Sequence, residues 1–561
     1  MKYSTYGSLL MTVIFSCFLL SCKQDSNKEN AENTILWEPY NDSLEVAANA
    51  NHDNPRMRYK LIQSKVLDKN DVFRPLYQEA KAFSNERYLA LKPYILEQDI
   101  PSIQSSIKQK KFTYEELVLF YLHRIYKYEL DNGTTLNTII ALNASVLEQA
   151  RELKSNSDGE HPIYGMPILL KDNIGFKGLT TTAGALALKD NTTADAFIVE
   201  RLKEKGALIL GKVNLSEWAY FFCDGCPVGY SAVGGQTLNP YGRRLFETGG
   251  SSSGSGTAIA AGYAVAAVGT ETSGSILSPS SQNSVVGLKP TIGVLSRTGI
   301  VPISSTLDTP GPMTRNVTDN AILLSAMLGF DEADQHTKKD LFSAAQLLET
   351  PNSSIAQIRV GAIITLMQQD SIYKTRVEAL KSAGATIVPI TPPEVKLDGF
   401  LSILNIDMKH DLPQYLETYA KQKDVVSVTS IADVVTYNMQ DSTLRMPYGQ
   451  ARLESILTDS TTIEELQTIK LNLEKEGRRF FDEALDNQDL DAILSINNYH
   501  AGYAAVAKYP AITIPMGYKT TGEPIGLTLI GKPLTEVSLL SIAKSFEQVM
   551  QVRKLPELYS N

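Results

Sequence analysis

Residues 249–276 read GGSSSGSGTAIAAGYAVAAVGTETSGSI, and this stretch is the most informative part of the chain about its fold. Two segments rich in Gly and Ser, 249–256 and 269–276, enclose a run of small apolar residues, 257–268. Such a run is typical of a tightly buried helix and strand. The two ends alone would suit a flexible linker, but the apolar run predicts that the whole stretch is packed in a core.

Apolar runs and amphipathic stretches alternate on both sides of these residues. Residues 163–170 and 207–210 predict short buried strands, and 195–205 has the periodicity of a helix. Residues 358–390 predict one strand–helix–strand unit, and 511–550 predict two strands followed by a helix. This alternation predicts an α/β fold in which helices cover both faces of a sheet.

The chain has 561 residues, enough for one very large domain or for two to three of ordinary size. We expect a signal segment at 1–21, then a tether and helical N-terminal extension at 22–99. One α/β domain is expected at 100–553. Within it, residues 331–486 are expected to form a more variable, partly helical layer.

Local signals mark several helix ends. Thr113 and Glu116 match a capping box, which predicts a helix that begins there and extends through Tyr128. In the extension, Pro75 and Pro93 are expected to break the helical pattern into pieces, because proline lacks a backbone N–H donor.

The overall composition excludes several classes of protein. Hydrophobic residues make up 43% and charged residues 20%, which excludes a disordered chain and a polytopic membrane protein. The net charge of −9 argues against nucleic acid as a partner. Only six His are present, and no two of them have the spacing of a zinc-binding HExxH helix.

The Gly- and Ser-rich segments allow three interpretations from their residues alone. A phosphate-binding loop would need a Lys-Ser/Thr pair after the glycines, and none follows. A nucleophile elbow matches Gly250-Ser251-Ser252-Ser253-Gly254, but it needs an acid and then a His downstream. A purely structural turn is the third possibility.

A fourth interpretation rests on resemblance across several motifs. The chain has Gly165-Met-Pro-Ile-Leu-Leu-Lys171-Asp-Asn173, Gly249-Gly-Ser-Ser-Ser-Gly, Gly269-Thr-Glu-Thr-Ser-Gly-Ser-Ile276 and Val286-Gly-Leu-Lys-Pro-Thr291. In this order they resemble the amidase signature family, and the resemblance runs from about residue 100 to about 553. It implies the amidase signature fold, a large mixed β-sheet with helices on both faces.

The resemblance also implies a mechanism. Ser275 would be the nucleophile, Ser251 the bridging serine and Lys171 the base, and the peptide bond before Ser251 would be cis. The oxyanion would be held by backbone N–H groups in the segment Thr272, Ser273, Gly274 and Ser275, as a developing negative charge requires. The resemblance implies no metal and no organic cofactor.

A lysine can act as a base only if its pKa is lowered. A solvated lysine has a pKa of about 10.4 and is almost wholly protonated at neutral pH. Burial disfavours the charged form, and residues 168–170 give Lys171 an apolar approach. Without the motif, a surface lysine beside Asp172 would be the default interpretation.

Two departures from the commonest family pattern bear on substrate. Ser273 stands where Gly is usual, and Leu277 stands where Arg is usual. In the run 269–276 with no Arg after it, and in the segments 235–241 and 303–312, the chain is most similar to the bacterial peptide amidases, which remove the C-terminal amide of peptides. We therefore expect a peptide amide or small-molecule amide substrate. The alternatives are a broad-specificity or fatty-acid amide hydrolase and a catalytically inactive peptide-binding envelope lipoprotein.

The first residues predict export. An apolar stretch at 9–20 is shorter than the roughly 20 residues that span a bilayer and has the length of a signal-peptide core. Leu19-Leu20-Ser21-Cys22 resembles a bacterial lipobox, which would make Cys22 the lipidated residue. We expect a lipid-anchored protein of the bacterial cell envelope, with the membrane as a partner through the lipid. An ordinary signal peptide is the alternative.

Cys223 and Cys226 are the remaining cysteines beyond Cys17 and Cys22. A single C-x-x-C lacks the second ligand pair of a structural zinc site. The residues are compatible with a loop disulfide in an exported protein and also with a free pair of thiols.

Overall fold

The computed structural model describes residues 34–154, 159–339, 341–349, 353–420 and 425–561, together with Met1. The expected signal segment and Cys22 lie outside the described residues. Among the residues that are described, no helix has the length and apolar character needed to cross a bilayer.

Within the described residues, eleven strands form one mixed sheet. They are β1 Ile139–Leu142, β2 Pro167–Lys171, β3 Leu208–Val213, β6 Ala266–Glu271, β7 Val286–Lys289, β8 Thr309–Thr314, β9 Arg359–Ile363, β10 Thr386–Ile390, β11 Ala492–Ile496, β12 Ala511–Tyr518 and β13 Pro524–Ile530. Their order across the sheet is β1-β3-β2-β6-β8-β7-β12-β13-β11-β9-β10. A separate short hairpin is made of β4 Tyr230–Ser231 and β5 Gly235–Gln236.

Strand direction decides which residues meet at the edge of the sheet. Strand β2 runs parallel to both neighbours, β3 and β6. Strand β8 runs antiparallel to β6. The carboxyl ends of β2 and β6 therefore lie at the same edge, and the amino end of β8 lies there too.

Helices occur throughout the described chain. In the first half they are Ser43–Asn49, Lys69–Phe73, Tyr77–Ala82, Asn85–Ile95, Ile100–Lys108, Tyr114–Glu129, Val146–Glu152, Phe197–Glu204, Ser253–Ala260 and Leu277–Gln282. In the second half they are Val317–Met327, Ala344–Leu348, Ile364–Gln369, Ser371–Ser382, Phe400–Tyr419, Ile431–Met439, Ser442–Arg445, Ala451–Thr458, Ile463–Asn487, Ala501–Ala507 and Glu536–Met550.

The central strands are buried on both faces, as the sequence predicts. Every residue of β2, β3, β6, β8 and β13 is buried. Strands covered on both faces carry continuous apolar runs instead of an alternating pattern. The predicted α/β fold with a large mixed sheet is confirmed.

The predicted helix after Thr113 is confirmed with its cap. The Thr113 hydroxyl accepts a hydrogen bond from the Glu116 N–H, and the Glu116 carboxylate accepts one from the Thr113 N–H. The strand predicted at 163–170 begins later, at Pro167. Residues before it form a turn, in which the Met166 N–H donates to the Ile163 carbonyl at 3.0 Å.

The N-terminal extension packs on the sheet domain in short helical pieces. Pro75 lies in a 3-10 turn, Arg74–Leu76, which separates two helices as expected. The expected break at Pro93 is wrong, because Pro93 lies inside the helix Asn85–Ile95. At this place near the end of the helix, the missing donor costs one intrahelical hydrogen bond without interrupting the backbone.

A second hydrophobic core lies under the helices of 400–473. Their buried residues pack on Trp218, Phe221 and Phe222 from one loop and on Ile303 and Leu307 from another. The first loop follows β3, and the second precedes β8. Both lie at the edge of the sheet where β2 and β6 end. The helical layer is therefore built over that edge.

Candidate active site

Lys171 lies at the carboxyl end of β2, beside β6. Leu170 is opposite Val268 in the parallel pair, so Lys171 is level with Gly269, next to Thr270. The Lys171 Nζ lies 2.7 Å from Ser251 Oγ, 2.8 Å from Thr270 Oγ1 and 3.2 Å from the Thr270 carbonyl oxygen. These three oxygens enclose the amine at the edge of the sheet.

The environment of Lys171 favours the neutral amine. Its side chain is fully buried, and burial lowers its pKa to about 7, against an opposing effect of the Asp308 and Glu271 carboxylates. A neutral amine has two N–H donors and one lone pair. If both N–H groups donate to Thr270, the lone pair of the neutral amine is free to accept from the Ser251 hydroxyl, whereas the charged amine donates to Ser251 Oγ.

The neighbouring Asp172 is not the partner of Lys171. Its carboxylate forms a buried ion pair with Lys212, at 3.1 Å, and accepts a hydrogen bond from the Thr182 N–H at 3.1 Å. The default interpretation of Lys171 as a surface lysine beside Asp172 is therefore wrong.

The loop that carries Ser251 has a cis peptide bond between Gly250 and Ser251. The Ser251 carbonyl accepts a hydrogen bond from the Ser216 N–H at 3.0 Å. A Cβ at Gly250 would lie 2.5 Å from Val228 Cγ1 and 2.6 Å from Ser216 Oγ, so only glycine fits there. The cis bond that the resemblance implies is present, and tight packing surrounds it.

The other serines of this loop have structural partners. The Ser252 hydroxyl donates to the Thr270 carbonyl at 3.0 Å and accepts from the Thr270 N–H at 3.1 Å. The Ser253 hydroxyl donates to the Gly249 carbonyl at 2.8 Å. The nucleophile-elbow interpretation would need a free hydroxyl at Ser252, and both functions of that hydroxyl are occupied.

Ser275 lies in the loop after β6. Its carbonyl accepts a hydrogen bond from the Ser252 N–H at 3.2 Å, which joins the two serine loops. Its side chain is 9% exposed, whereas Lys171 and Ser251 are 0% exposed, so it is the most accessible of the three. Within the described part of the chain, the Ser275 hydroxyl makes no hydrogen bond. The direct contact in the predicted triad is the one between Lys171 and Ser251.

The predicted oxyanion segment is held at both ends. Gly274 has a φ of +89°, and a Cβ there would come within 2.9 Å of Asn498 Nδ2. Beyond Ser275, the N–H groups of Ile276 and Leu277 donate to Glu271 Oε2 at 2.7 and 3.0 Å. Glu271 therefore fixes the backbone that follows Ser275, a role that the sequence analysis did not assign.

The sequence analysis also missed Asp308. One of its carboxylate oxygens accepts a hydrogen bond from the Thr272 hydroxyl at 2.5 Å, at the start of the predicted oxyanion segment. In the sequence, Asp308 begins the run Asp308-Thr-Pro-Gly-Pro-Met313, to which the sequence analysis attached no role.

A cavity of about 520 Å³ lies beside Thr270, the residue whose oxygens contact Lys171; Lys171, Ser251 and Ser275 themselves do not line it. Thr270 and Asp308 form part of its wall, and the helix Phe400–Tyr419 contributes Asp411 and Tyr415. The helical layer thus shapes this space. The loop 221–248 does not line this cavity; its Val228 packs against Gly250 instead.

Cys223 and Cys226 form a disulfide in that loop. The loop is also held by the Tyr220 hydroxyl, which donates to the Cys226 carbonyl at 2.8 Å. Arg452 pairs with Asp224 at 2.5 Å, from the helical layer. Of the two possibilities for the C-x-x-C, the structure contains the disulfide.

Comparisons with known proteins agree with this geometry. The family model described as Amidase matches residues 116–501. A probable amidase of Arabidopsis thaliana is 35% identical over 480 residues, covering 82% of this chain and 92% of that protein.

Two solved structures are similar over nearly their whole length. An amidase family protein from Bacillus anthracis has a TM-score of 0.82 and 34% identity, covering 88% of this chain and 100% of that one. The peptide amidase from Stenotrophomonas maltophilia has a TM-score of 0.77 and 33% identity, covering 83% and 99%. This chain belongs to the amidase signature family and is a hydrolase of amide C–N bonds.

Proposed function

We propose that this enzyme hydrolyses the C-terminal carboxamide of short peptides to the free acid and ammonia, through an acyl-enzyme on Ser275. The observation that carries the mechanism is the buried Lys171 amine 2.7 Å from Ser251 Oγ, next to the loop of the more accessible Ser275. Similarity to a peptide amidase over 83% of the chain supports the substrate class.

Acylation begins at Ser275. Its Oγ forms a bond to the carbonyl carbon of the amide while its proton passes to Ser251 and the Ser251 proton passes to the lone pair of Lys171. The carbonyl oxygen becomes an anion and is stabilised by backbone N–H groups of 272–275. Ser251 is suited to this relay because its Oγ contacts the buried Lys171 amine.

Collapse of the tetrahedral intermediate reverses the relay. The C–N bond breaks, and the proton on Lys171 returns through Ser251 to the leaving nitrogen, which departs as ammonia. A water molecule then attacks the ester on Ser275 and gives its proton to the same relay. The ester bond breaks, Ser275 recovers a proton, and the carboxylic acid is released.

The cavity supports a substrate larger than a simple amide. Its volume of about 520 Å³ lies beside Thr270 and Asp308, within the range of sites that take small organic ligands. The polar carboxyl group of Asp411 and the aromatic ring of Tyr415 both form part of its wall. This mixture suits a peptide better than a long aliphatic chain, the main rival substrate.

A matched substrate series tests the proposal. We expect kcat/KM for a dipeptide amide to exceed that for a simple aliphatic amide and a long-chain acyl amide by more than tenfold, about 1.4 kcal/mol of transition-state binding. The same dipeptide with a free carboxylate is the control and releases no ammonia. Preference for the aliphatic or long-chain amide would contradict the peptide-amide proposal and leave the serine mechanism intact.

We also propose that the protein is held at the cell envelope by a lipid on Cys22. The support is the sequence Leu19-Leu20-Ser21-Cys22 after an apolar stretch. Peptide amides would then be met outside the cytoplasm, away from aminoacyl-tRNA.

A further inference from the structure

Asp308 occupies a position that the sheet register creates. Strands β6 and β8 are antiparallel, and Glu271 is opposite Thr309. The residue after β6 therefore lies beside the residue before β8. These two residues are Thr272 and Asp308, and they belong to separate loops at the active-site edge.

The Asp308 carboxylate joins the two loops. Its Oδ1 accepts from the Thr272 hydroxyl at 2.5 Å, and its Oδ2 accepts from the N–H groups of Ile303 and Ser304 at 2.8 and 2.9 Å. An ionised carboxylate can accept at both oxygens, whereas the amide of Asn has one acceptor and one donor group. The charged form is therefore the form that satisfies all three donors.

We propose that Asp308 is a positioning residue for the hydrolysis, which holds the oxyanion segment through Thr272 and acts with its negative charge on Lys171. The proposal rests on the roles of Lys171 and Ser275 proposed above. Asp308 needs no contact with the reacting atoms for this role. It would act through Thr272 on the backbone N–H groups and through its charge on the base.

The effect of the Asp308 charge on the pKa of Lys171 has a definite direction. Among charged groups, Asp308 is foremost in raising the pKa of Lys171, ahead of Glu271, while burial lowers it. Burial raises the pKa of Asp308 itself, and its hydrogen bonds to Thr272, Ser304 and Ile303 and the charge of Arg297 oppose this. Loss of the Asp308 charge should therefore lower the pKa of Lys171 further.

The remaining charges around Asp308 are also part of the cavity wall. Arg297 pairs with Asp334 at 2.6 Å, which compensates its charge. Asp411, whose pKa is raised to about 6 by burial, accepts a hydrogen bond from the Ser305 N–H at 2.6 Å. Asp411 shares the cavity with Asp308 and is not bonded to Thr272, which makes it a matched control.

The test compares four variants, D308N, T272V, T272S and D411N, by kcat, KM and the pH profile of kcat/KM on a dipeptide amide. For D308N we expect kcat to fall about tenfold to hundredfold with a smaller change in KM. Because a deprotonated Lys171 is the active form, the acid limb of the D308N profile should move to lower pH by about half a unit or more.

The threonine variants separate position from charge. T272V removes the hydroxyl and keeps the carboxylate, so kcat should fall while the acid limb stays in place. T272S keeps the hydroxyl and should restore most of the T272V loss. D411N removes an acid from the wall of the proposed substrate cavity, so we expect its KM to change while the acid limb stays where it is in the wild type.

Wild-type kcat in T272V would overturn the positioning role, even if D308N did not fold. An unmoved acid limb in folded D308N, or an equal shift in D411N, would overturn the action on Lys171. Failure of the underlying function is distinguishable, because it would appear as full activity in S275A and K171M.

Discussion

Replacement of Lys171 by Met should change how the stability of the protein depends on pH. The Lys171 amine is fully buried, and its pKa in the folded protein is lowered to about 7. In the unfolded chain the same group has a pKa of about 10.4. Met has a side chain of similar length, is well tolerated in an apolar site and does not titrate.

The size of the effect follows from proton linkage. Between pH 7 and about 10.4, the unfolded wild type binds one proton that the folded state does not bind, so the stability of the wild type rises with pH. The slope is about 1.4 kcal/mol per pH unit. From pH 7.5 to 9.5 the wild type should gain about 3 kcal/mol relative to K171M. Below pH 7 the difference between the two should stop changing.

Guanidinium unfolding of both proteins at pH 7.5, 8.5 and 9.5, followed by the fluorescence of Trp37 and Trp218, measures this difference. Other buried lysines, such as Lys212, are common to both proteins and cancel. S275A is the control, because it removes the proposed nucleophile, which makes no contact with the amine, and it should track the wild type. A difference between wild type and K171M that is constant with pH would mean that Lys171 stays protonated when folded, which would refute its assignment as a base.

Three other predictions can be checked directly. The wild-type kcat/KM should rise with pH through a midpoint near 7, the lowered pKa of Lys171, and fall tenfold per unit below it; a midpoint near 10 in the profile would contradict this. G250A should lose about 1–3 kcal/mol of stability and at least tenfold in kcat, because its Cβ would lie 2.5 Å from Val228 Cγ1; wild-type values in thermal unfolding and turnover would count against the packing argument. C22S should move the protein from the membrane to the soluble fraction on cell fractionation, and unchanged membrane association would exclude the lipid anchor.

Much of the site was predictable from the sequence because its motifs are contiguous. The apolar residues before Lys171 predicted a buried lysine, and the amine is fully buried at the end of β2. The resemblance implied a cis peptide bond before Ser251, and that bond is cis, at a glycine with no room for a Cβ. The α/β sheet was predictable as well, because each strand and each helix has its own pattern within a short stretch of sequence.

Contacts between distant segments were not predictable in this way. The bond from Thr272 to Asp308 depends on the antiparallel register of β6 and β8, which no local pattern encodes. The two hydrogen bonds that Glu271 accepts depend on how its own loop folds back. At Pro93 a local signal was misleading. Proline was expected to break the helix, but packing keeps the helix Asn85–Ile95 intact around it.

The central claim is that Ser275 is the nucleophile, and mapping a covalent adduct tests it most directly. The enzyme is treated with a fluorophosphonate, which forms a bond from a serine Oγ to phosphorus as fluoride leaves. Cleavage after Arg and Glu then separates residues 248–271, which contain Ser251, Ser252 and Ser253, from residues 272–297, which contain Ser275. We predict by mass spectrometry that the wild type carries the adduct on Ser275 in the second peptide, and that K171M gains it far more slowly. An adduct on Ser252 or Ser253 in the first peptide, or labelling of K171M at the wild-type rate, would contradict the account.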